Sequence, residues 1–152
     1  MRIGIYGGTF DPPHNGHIAA AKAAMERLSL DKLLLIPTFI PPHKALPAGA
    51  ASPRQRYDMA VLATAALGKK AEVLDMELER GGPSYTWETL RLLRSRYPED
   101  ELWLLMGSDM FLTLQDWREP RQVMALARIG AFSRMKSGEA DAFARQKAFL
   151  ER

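Results

Sequence analysis

The sequence predicts an α/β fold built on a doubly wound parallel sheet, and three observations predict it. Short apolar runs alternate with stretches of helical periodicity along the chain. The runs at residues 33–36 and 102–106 are apolar at every position, as a strand covered on both faces requires. Two of the runs end on glycine, Tyr6-Gly7-Gly8 and Met106-Gly107. A β-α-β-α order of this kind gives parallel strands joined by right-handed crossovers.

Taken in order, residues 3–6 form the first strand, ending in Gly7-Gly8. A helix follows, with Ile18, Ala21, Met25 and Leu28 at helical spacing. Residues 33–36 are the second strand, closed by Pro37. After a proline-rich loop at 38–51, the next helix start is well marked. Ser52 is its N-cap, Pro53 takes the first helical position, and Gln55 stands three residues after the serine. Tyr57, Ala60, Val61, Thr64 and Leu67 then share one face. Residues 71–74 make a short third strand, and Gly81-Gly82-Pro83 breaks the chain before a helix carrying Trp87, Leu90 and Leu93. Residues 102–106 are the fourth strand. Helical segments over 109–127 lead to a fifth strand at 129–132, and the tail from 138 to 152 reads as a helix. The whole is a single Rossmann-like domain over residues 1–152. Ligands of such sheets bind beyond the carboxyl ends of the strands, at the point where strand order reverses. Both glycine-ended strands therefore face one cleft.

Bulk properties narrow the partners. A chain of 152 residues, 47% hydrophobic and 26% charged, suits one globular domain with its own core. No apolar run approaches the ~20 residues that span a bilayer. The start, Met1-Arg2-Ile3-Gly4-Ile5-Tyr6, has no signal-peptide pattern, so a cytoplasmic location with no membrane partner is expected. Without cysteine there is neither a disulfide framework nor a thiolate metal site. The charge of +3 suits phosphorylated small molecules as well as nucleic acid. The densest basic stretch, Arg91, Arg94 and Arg96, lacks interleaved aromatics and reads as a solvated helix face, so no nucleic-acid partner is expected.

The segment Gly7-Gly8-Thr9-Phe10-Asp11-Pro12-Pro13-His14-Asn15-Gly16-His17 carries the strongest chemical signal. Glycines at a strand end let the backbone approach a ligand closely. His14 and His17 lie three apart at the start of a helix, which puts both imidazoles on one face. The helix N-terminus beside them offers free N–H groups and partial positive charge suited to phosphate. His43 adds a third imidazole, but no carboxylate or thiolate set completes a zinc pattern, so no dedicated metal site is expected. Mg2+ carried in by a phosphorylated ligand needs few protein groups of its own.

This block resembles the [GT]-x-x-H-x-x-H region of the nucleotidyltransferase superfamily. The resemblance implies that His14 and His17 stabilise charge on the ATP phosphates during direct transfer, with no covalent enzyme intermediate. Further blocks narrow it: Pro41-Pro42-His43-Lys44, then Asp75, Glu77 and Arg80 ahead of Ser84-Tyr85-Thr86-Trp87, then Gly107-Ser108-Asp109 with Trp117 downstream. Together, from residue 2 to about residue 134, they resemble the bacterial nicotinate-nucleotide adenylyltransferases. That resemblance implies transfer of the adenylyl group of Mg-ATP to nicotinate mononucleotide, with release of pyrophosphate, in NAD biosynthesis. By motif, Gly7, Gly8, Thr9, Phe10, Gly107 and Asp109 would surround ATP together with the two histidines. Thr86 and Trp117 would hold the nicotinate nucleotide, Trp117 by stacking on the pyridine, and Lys44 would lie near the phosphates.

From the residues alone, Thr86 can cap its helix, whose N-terminus favours a carboxylate. Trp117 can stack on a cationic ring or pack in the core. Lys44 is either a ligand contact or a solvated loop lysine. Asp75, Glu77 and Arg80 read as a structural ion-pair group. Family members continue with a further strand and a helix opening on a motif like Ile-Ser-Ser-Thr-x-x-Arg. The chain stops at Glu151-Arg152 without it, so the resemblance implies a domain lacking its last strand and helix. Other acceptors, such as phosphopantetheine, and a nucleotide-binding module without turnover are the alternatives. Preference between nicotinate and nicotinamide nucleotides, and assembly into a homo-oligomer, stay open.

Overall fold

The computed structural model describes residues 1–8, 15–37, 52–81, 85–132 and 139–150. Within them five parallel strands form one sheet: β1 (Arg2–Gly8), β2 (Lys32–Pro37), β3 (Ala71–Val73), β4 (Glu101–Gly107) and β5 (Arg128–Phe132). The helices are α1 (Asn15–Arg27), α2 (Pro53–Thr64), α3 (Met76–Arg80), α4 (Thr86–Arg96), α5 (Ser108–Phe111), α6 (Pro120–Leu126) and α7 (Glu139–Leu150). Single 3-10 turns at Ala65–Leu67 and Leu114–Asp116 follow α2 and α5.

Strand order is β3-β2-β1-β4-β5. The chain steps outward from β1 to β2 and β3, then crosses back to lay β4 on the other side of β1. Ile5 therefore pairs with Leu34 on one side and Leu104 on the other. The reversal between β1 and β4 is the switch point, and their carboxyl ends are where such a sheet takes its ligand.

Period-two alternation sorts the strand side chains into two layers. Ile3, Ile5, Leu34, Ile36, Leu102, Leu104 and Met106 point to one face, where Leu90 and Leu93 of α4 and Val123 of α6 cover them. Leu33, Leu35 and Leu105 point to the other, under Ala21 and Ala24 of α1. Both faces of the central strands are thus dry, which explains runs such as Leu33-Leu34-Leu35-Ile36 without polar alternation. Gly4 sits in the second layer for want of room: a Cβ there would lie 2.5 Å from Leu30 Cδ1 and 3.1 Å from Leu33 Cδ1.

The α2 start is built as its sequence dictates. Ser52 Oγ accepts from Gln55 N–H at 3.1 Å, and Ser52 N–H donates to Gln55 Oε1 at 2.8 Å, with Pro53 in the first turn. The buried stripe of α2 differs from the expected one. Arg56, Ala60 and Thr64 face inward at i, i+4, i+8, whereas Val61 is 44% exposed. Ala60 and Thr64 are buried as expected, with Tyr57 and Leu67 half-buried, so the face differs at its margin: Val61 turns outward and Arg56, a charged residue, turns in.

Other boundaries also move. β1 continues through Gly7 and Gly8, which pair with Ile36 and Pro37, so the glycines belong to the strand itself. Residues 76–80, not anticipated as helical, form α3, which ends at Gly81 with φ +71, a left-handed conformation natural to glycine. Arg94 does not belong to a merely solvated face. Its guanidinium donates to the carbonyls of Asp100 at 2.6 Å and Leu126 at 2.9 Å, tying the α4–β4 turn to α6. Arg91 and Arg96 are exposed as expected. The tail helix α7 docks through the buried Gln146, whose amide donates to Phe111 O at 2.9 Å and to Gln115.

Candidate active site

Two elements converge on the switch point from the β1 side. Gly7 and Gly8 end the strand, and α1 starts at Asn15 with His17 in its first turn. The half-buried His17 ring stands edge-on to Tyr6, with centroids 6.2 Å apart and planes at 69°. Burial pushes the Tyr6 phenol above its ordinary ionisation range, so it stays neutral near pH 7. His17 thus lies beside the first-turn N–H groups of a 13-residue helix, whose partial positive charge suits an anion.

From the other side comes β4. Gly107 is its last residue, and among the described residues a Cβ added there would meet nothing within 4 Å. It borders open space at the carboxyl edge, unlike Gly4 in the packed layer. Asp109 follows on α5, placed by its backbone directly after the strand. The pairing of β1 with β4 brings Gly7, Gly8, His17, Gly107 and Asp109 to one end of two neighbouring strands. Thr9, Phe10, His14 and Lys44 lie outside the described residues.

A second group gathers at the start of α4. Thr86 is the first helical residue, and the N-cap position belongs to Tyr85, which makes no side-chain cap bond. The expectation that Thr86 caps the helix is thereby corrected by one position: Tyr85 has the extended backbone (φ −96, ψ 128) that a cap requires, and its carbonyl accepts from Glu88 N–H and Thr89 N–H. Among the described residues, no N-cap side chain bonds to the first N–H groups of α4.

Trp117 approaches the same region from the loop after Leu114–Asp116. It is 8% exposed, packs in the layer of Met106, Phe111 and Leu114, and donates Nε1–H to Thr113 Oγ1 at 3.2 Å. Core packing is therefore one of its roles. Arg118, next in sequence, reaches over the Tyr85 ring and links the two segments. Glu119 then takes a left-handed conformation (φ 52, ψ 53), uncommon for a non-glycine residue and concentrated at functional loops.

The acidic and basic residues ahead of α4 enter a connected set that runs through Thr89 and Glu88 of α4. Thr89 Oγ1 donates to Glu77 Oε2 at 2.7 Å and accepts from Arg80 Nη2 at 3.1 Å, while Arg80 Nε stands 3.7 Å from Glu88 Oε2. Asp75 occupies the N-cap position of α3 without a side-chain cap bond. Sequence reasoning missed Thr89 and Arg118. Thr89 could have been suspected from its spacing of three from Thr86, on the same helix face; Arg118 carried no local signal beyond following Trp117.

Among the described residues, no group of three or more His, Asp and Glu side chains is arranged to hold a metal ion. Nor is any described helix long and apolar enough to cross a membrane.

Residues 5–148 match the cytidylyltransferase-like family. The chain is 48% identical over 134 residues to a protein of Dictyoglomus thermophilum named as a nicotinate-nucleotide adenylyltransferase, covering 88% of this chain and 67% of that one. A protein of the same name from Chlorobium luteolum is 41% identical over 147 residues, covering 95% of this chain and 74% of its own length. Among solved structures, a nicotinate-nucleotide adenylyltransferase of Vibrio parahaemolyticus superposes with a TM-score of 0.72 over 91% of this chain and 77% of that one, at 18% identity. The nicotinic acid mononucleotide adenylyltransferase of Plasmodium falciparum, solved with APC, superposes with a TM-score of 0.66 at 14% identity, over 89% of this chain and 75% of that one. The two superpositions show a shared fold.

Proposed function

From the fact that this chain belongs to the cytidylyltransferase-like family and, within it, to the nicotinate-nucleotide adenylyltransferases, we infer that it transfers the adenylyl group of ATP to nicotinate mononucleotide. The products are nicotinate adenine dinucleotide and pyrophosphate. The observation that carries this reading is the β1–β4 pairing, which joins the Gly7–Gly8 strand end and the His17 turn to Gly107 and Asp109 at the switch point.

The mechanism follows from what that cleft offers. An oxygen of the acceptor phosphate attacks the α-phosphorus of ATP, a new P–O bond forms, and the bond to the β-phosphate oxygen breaks as pyrophosphate leaves. Negative charge builds on the phosphate oxygens, so the useful protein groups are fixed donors rather than a nucleophile. His17 is supported as one such donor by its place in the first turn of α1. His14, three residues earlier, is its proposed partner. Gly7, Gly8 and Gly107 would let backbone approach the nucleotide, with Thr9, Phe10 and Asp109 completing the ATP side. Lys44 is proposed near the phosphates.

On the acceptor side, the N-terminus of α4 at Thr86, whose N-cap Tyr85 makes no side-chain cap bond, supports binding of the nicotinate carboxylate. Trp117 is proposed to stack on the pyridine with whatever part of its indole the core leaves uncovered. Mg2+ would accompany ATP and supply charge neutralisation at the phosphates with few protein ligands; among the described residues no carboxylate cluster is arranged to hold it. Both substrates are charged metabolites, and the cytoplasm is where this reading puts the chain.

The experiment is product formation from Mg-ATP with nicotinate mononucleotide, run beside nicotinamide mononucleotide and phosphopantetheine, following dinucleotide and pyrophosphate. Product with the nicotinate nucleotide, at a higher kcat/KM than with the others, is the expected result. A preference for phosphopantetheine, or no product from any acceptor, overturns the reading.

A further inference from the structure

We propose that Glu77, Arg80, Glu88 and Thr89 are a positioning set that fixes the first turn of α4, and through it Thr86, for the acceptor nucleotide. The proposal rests on the functional reading above and adds to it residues that do not themselves touch substrate.

Glu77 and Arg80 come from α3, Glu88 and Thr89 from α4. The Thr89 hydroxyl is the hub: it gives its one proton to Glu77 and takes one from Arg80. That directional order, Arg80 to Thr89 to Glu77, is available to a hydroxyl alone among side chains of this size. Glu88 Oε2 lies 3.7 Å from Nε of the same Arg80 guanidinium. Thr89 is 3% exposed and Glu77 5% exposed, so the hub is shielded from water and its geometry is correspondingly strict.

Thr86 and Thr89 are three residues apart on one helix, so they share a face, and the polar hub lies one turn beneath Thr86. Nothing in α3 itself would hold that relationship. With five residues it is far below the length at which a helix is stable alone, and it ends at the left-handed Gly81. An apolar contact between α3 and α4 would supply stability as readily as a buried carboxylate and guanidinium do. What the polar set supplies in addition is direction, since hydrogen bonds constrain angle as well as distance. A carboxylate bound at the α4 N-terminus reads that direction in the ground state and the transition state alike, so loosening the turn weakens acceptor binding and leaves kcat largely intact.

The test compares Thr89→Val, which keeps shape and removes the hub, with Thr89→Ser, which keeps the hydroxyl. Kinetics are measured with nicotinate mononucleotide varied at saturating Mg-ATP, and the reverse. Thr89→Val is expected to raise KM for nicotinate mononucleotide about 10-fold while kcat and KM for Mg-ATP stay within about 2-fold; Thr89→Ser is expected to behave as wild type. Should Thr89→Val not fold, Glu88→Gln opens only the partly exposed outer pair and is expected to raise the same KM about 3-fold. A folded Thr89→Val with unchanged acceptor KM overturns the proposal, as does an equal rise for both substrates or a serine variant no better than valine. With Thr89→Val unfolded, an unchanged acceptor KM in Glu88→Gln overturns it too. Wild-type chain that makes no dinucleotide overturns the functional reading and this proposal with it, whereas active wild type with unselective variants overturns this proposal alone.

Discussion

Arg118 lays its guanidinium over the ring of Tyr85, with Cζ 4.5 Å from the ring centroid and Nη2 3.4 Å from the phenol oxygen. The contact joins the residue after Trp117 to the residue before Thr86, residues 33 positions apart in sequence that approach from different elements. Both members are at the surface of the fold, so the pair adds little to stability; an exposed contact of this type contributes ~0.5–1 kcal/mol. Its consequence lies in the spacing of the two acceptor-side segments. Arg118→Ala is expected to raise KM for nicotinate mononucleotide about 3-fold, with the melting temperature lowered by no more than about 3 °C. Steady-state kinetics beside a thermal melt checks both, and an unchanged KM would reduce the contact to surface decoration.

His17 should separate chemistry from folding. Its ring is half-buried at the first turn of α1, edge-on to Tyr6. His17→Ala is expected to lower kcat by roughly 100- to 1,000-fold, the scale of losing one preorganised donor to a developing anion. Circular dichroism and the melting temperature should stay near wild type. A kcat within about 3-fold of wild type would remove His17 from the mechanism.

Much of the architecture was legible because strands buried on both faces leave an unmistakable pattern. Leu33-Leu34-Leu35-Ile36 and Leu102 to Met106 fall inside β2 and β4, and the Ser52-Pro53-Gln55 start of α2 was readable from local chemistry alone. Periodicity failed where polar groups do the packing. On α2, Arg56 is buried although charged while Val61 is exposed although apolar, and α3 was invisible because five residues give no period to read. At the cleft, adjacency in sequence sufficed to join Gly7, Gly8 and His17. Strand order was needed to bring Gly107 beside them, and it follows from the alternation only once the reversal between β1 and β4 is known. Thr89 and Arg118 escaped because their partners, Glu77, Arg80 and Tyr85, are set by tertiary contacts across helices.

Two glycines in the sheet should behave oppositely. At Gly4 a Cβ would stand 2.5 Å from Leu30 Cδ1, 3.1 Å from Leu33 Cδ1 and 3.3 Å from Leu105 Cδ1, inside a close-packed layer. Gly4→Ala is therefore expected to cost about 1–3 kcal/mol, seen as a melting temperature lower by roughly 3–10 °C. At Gly107 the same methyl meets nothing among the described residues. Gly107→Ala should leave the melting temperature within about 1 °C and raise KM for Mg-ATP several-fold, because the methyl intrudes where nucleotide is proposed to lie. If Gly107→Ala leaves KM for Mg-ATP untouched, the nucleotide does not approach that strand end. A stable Gly4→Ala would mean that Leu30 swings aside at no cost.

Arg94 offers the converse dissociation, stability without chemistry. It donates to the carbonyls of Asp100 and Leu126, with a longer contact to Tyr97 O at 3.4 Å, so one partly buried cation satisfies acceptors from the α4–β4 turn and from the end of α6. Those acceptors lie at the amino-terminal edge of β4, the opposite end of the strand from Gly107. Arg94→Met keeps much of the aliphatic stem and strands the carbonyls, at an expected cost of about 2–3 kcal/mol. For a domain of this size that lowers the melting temperature by roughly 5–10 °C. Arg96→Met, exposed on the same turn, is expected to stay within about 0.5 kcal/mol. At 25 °C, where both variants remain folded, neither should change KM for either substrate, since the perturbed turn is a full strand length from the cleft. A melting temperature unchanged by Arg94→Met would show that water replaces the guanidinium at those carbonyls; a selective rise in one KM would show that the turn communicates with the carboxyl edge through β4.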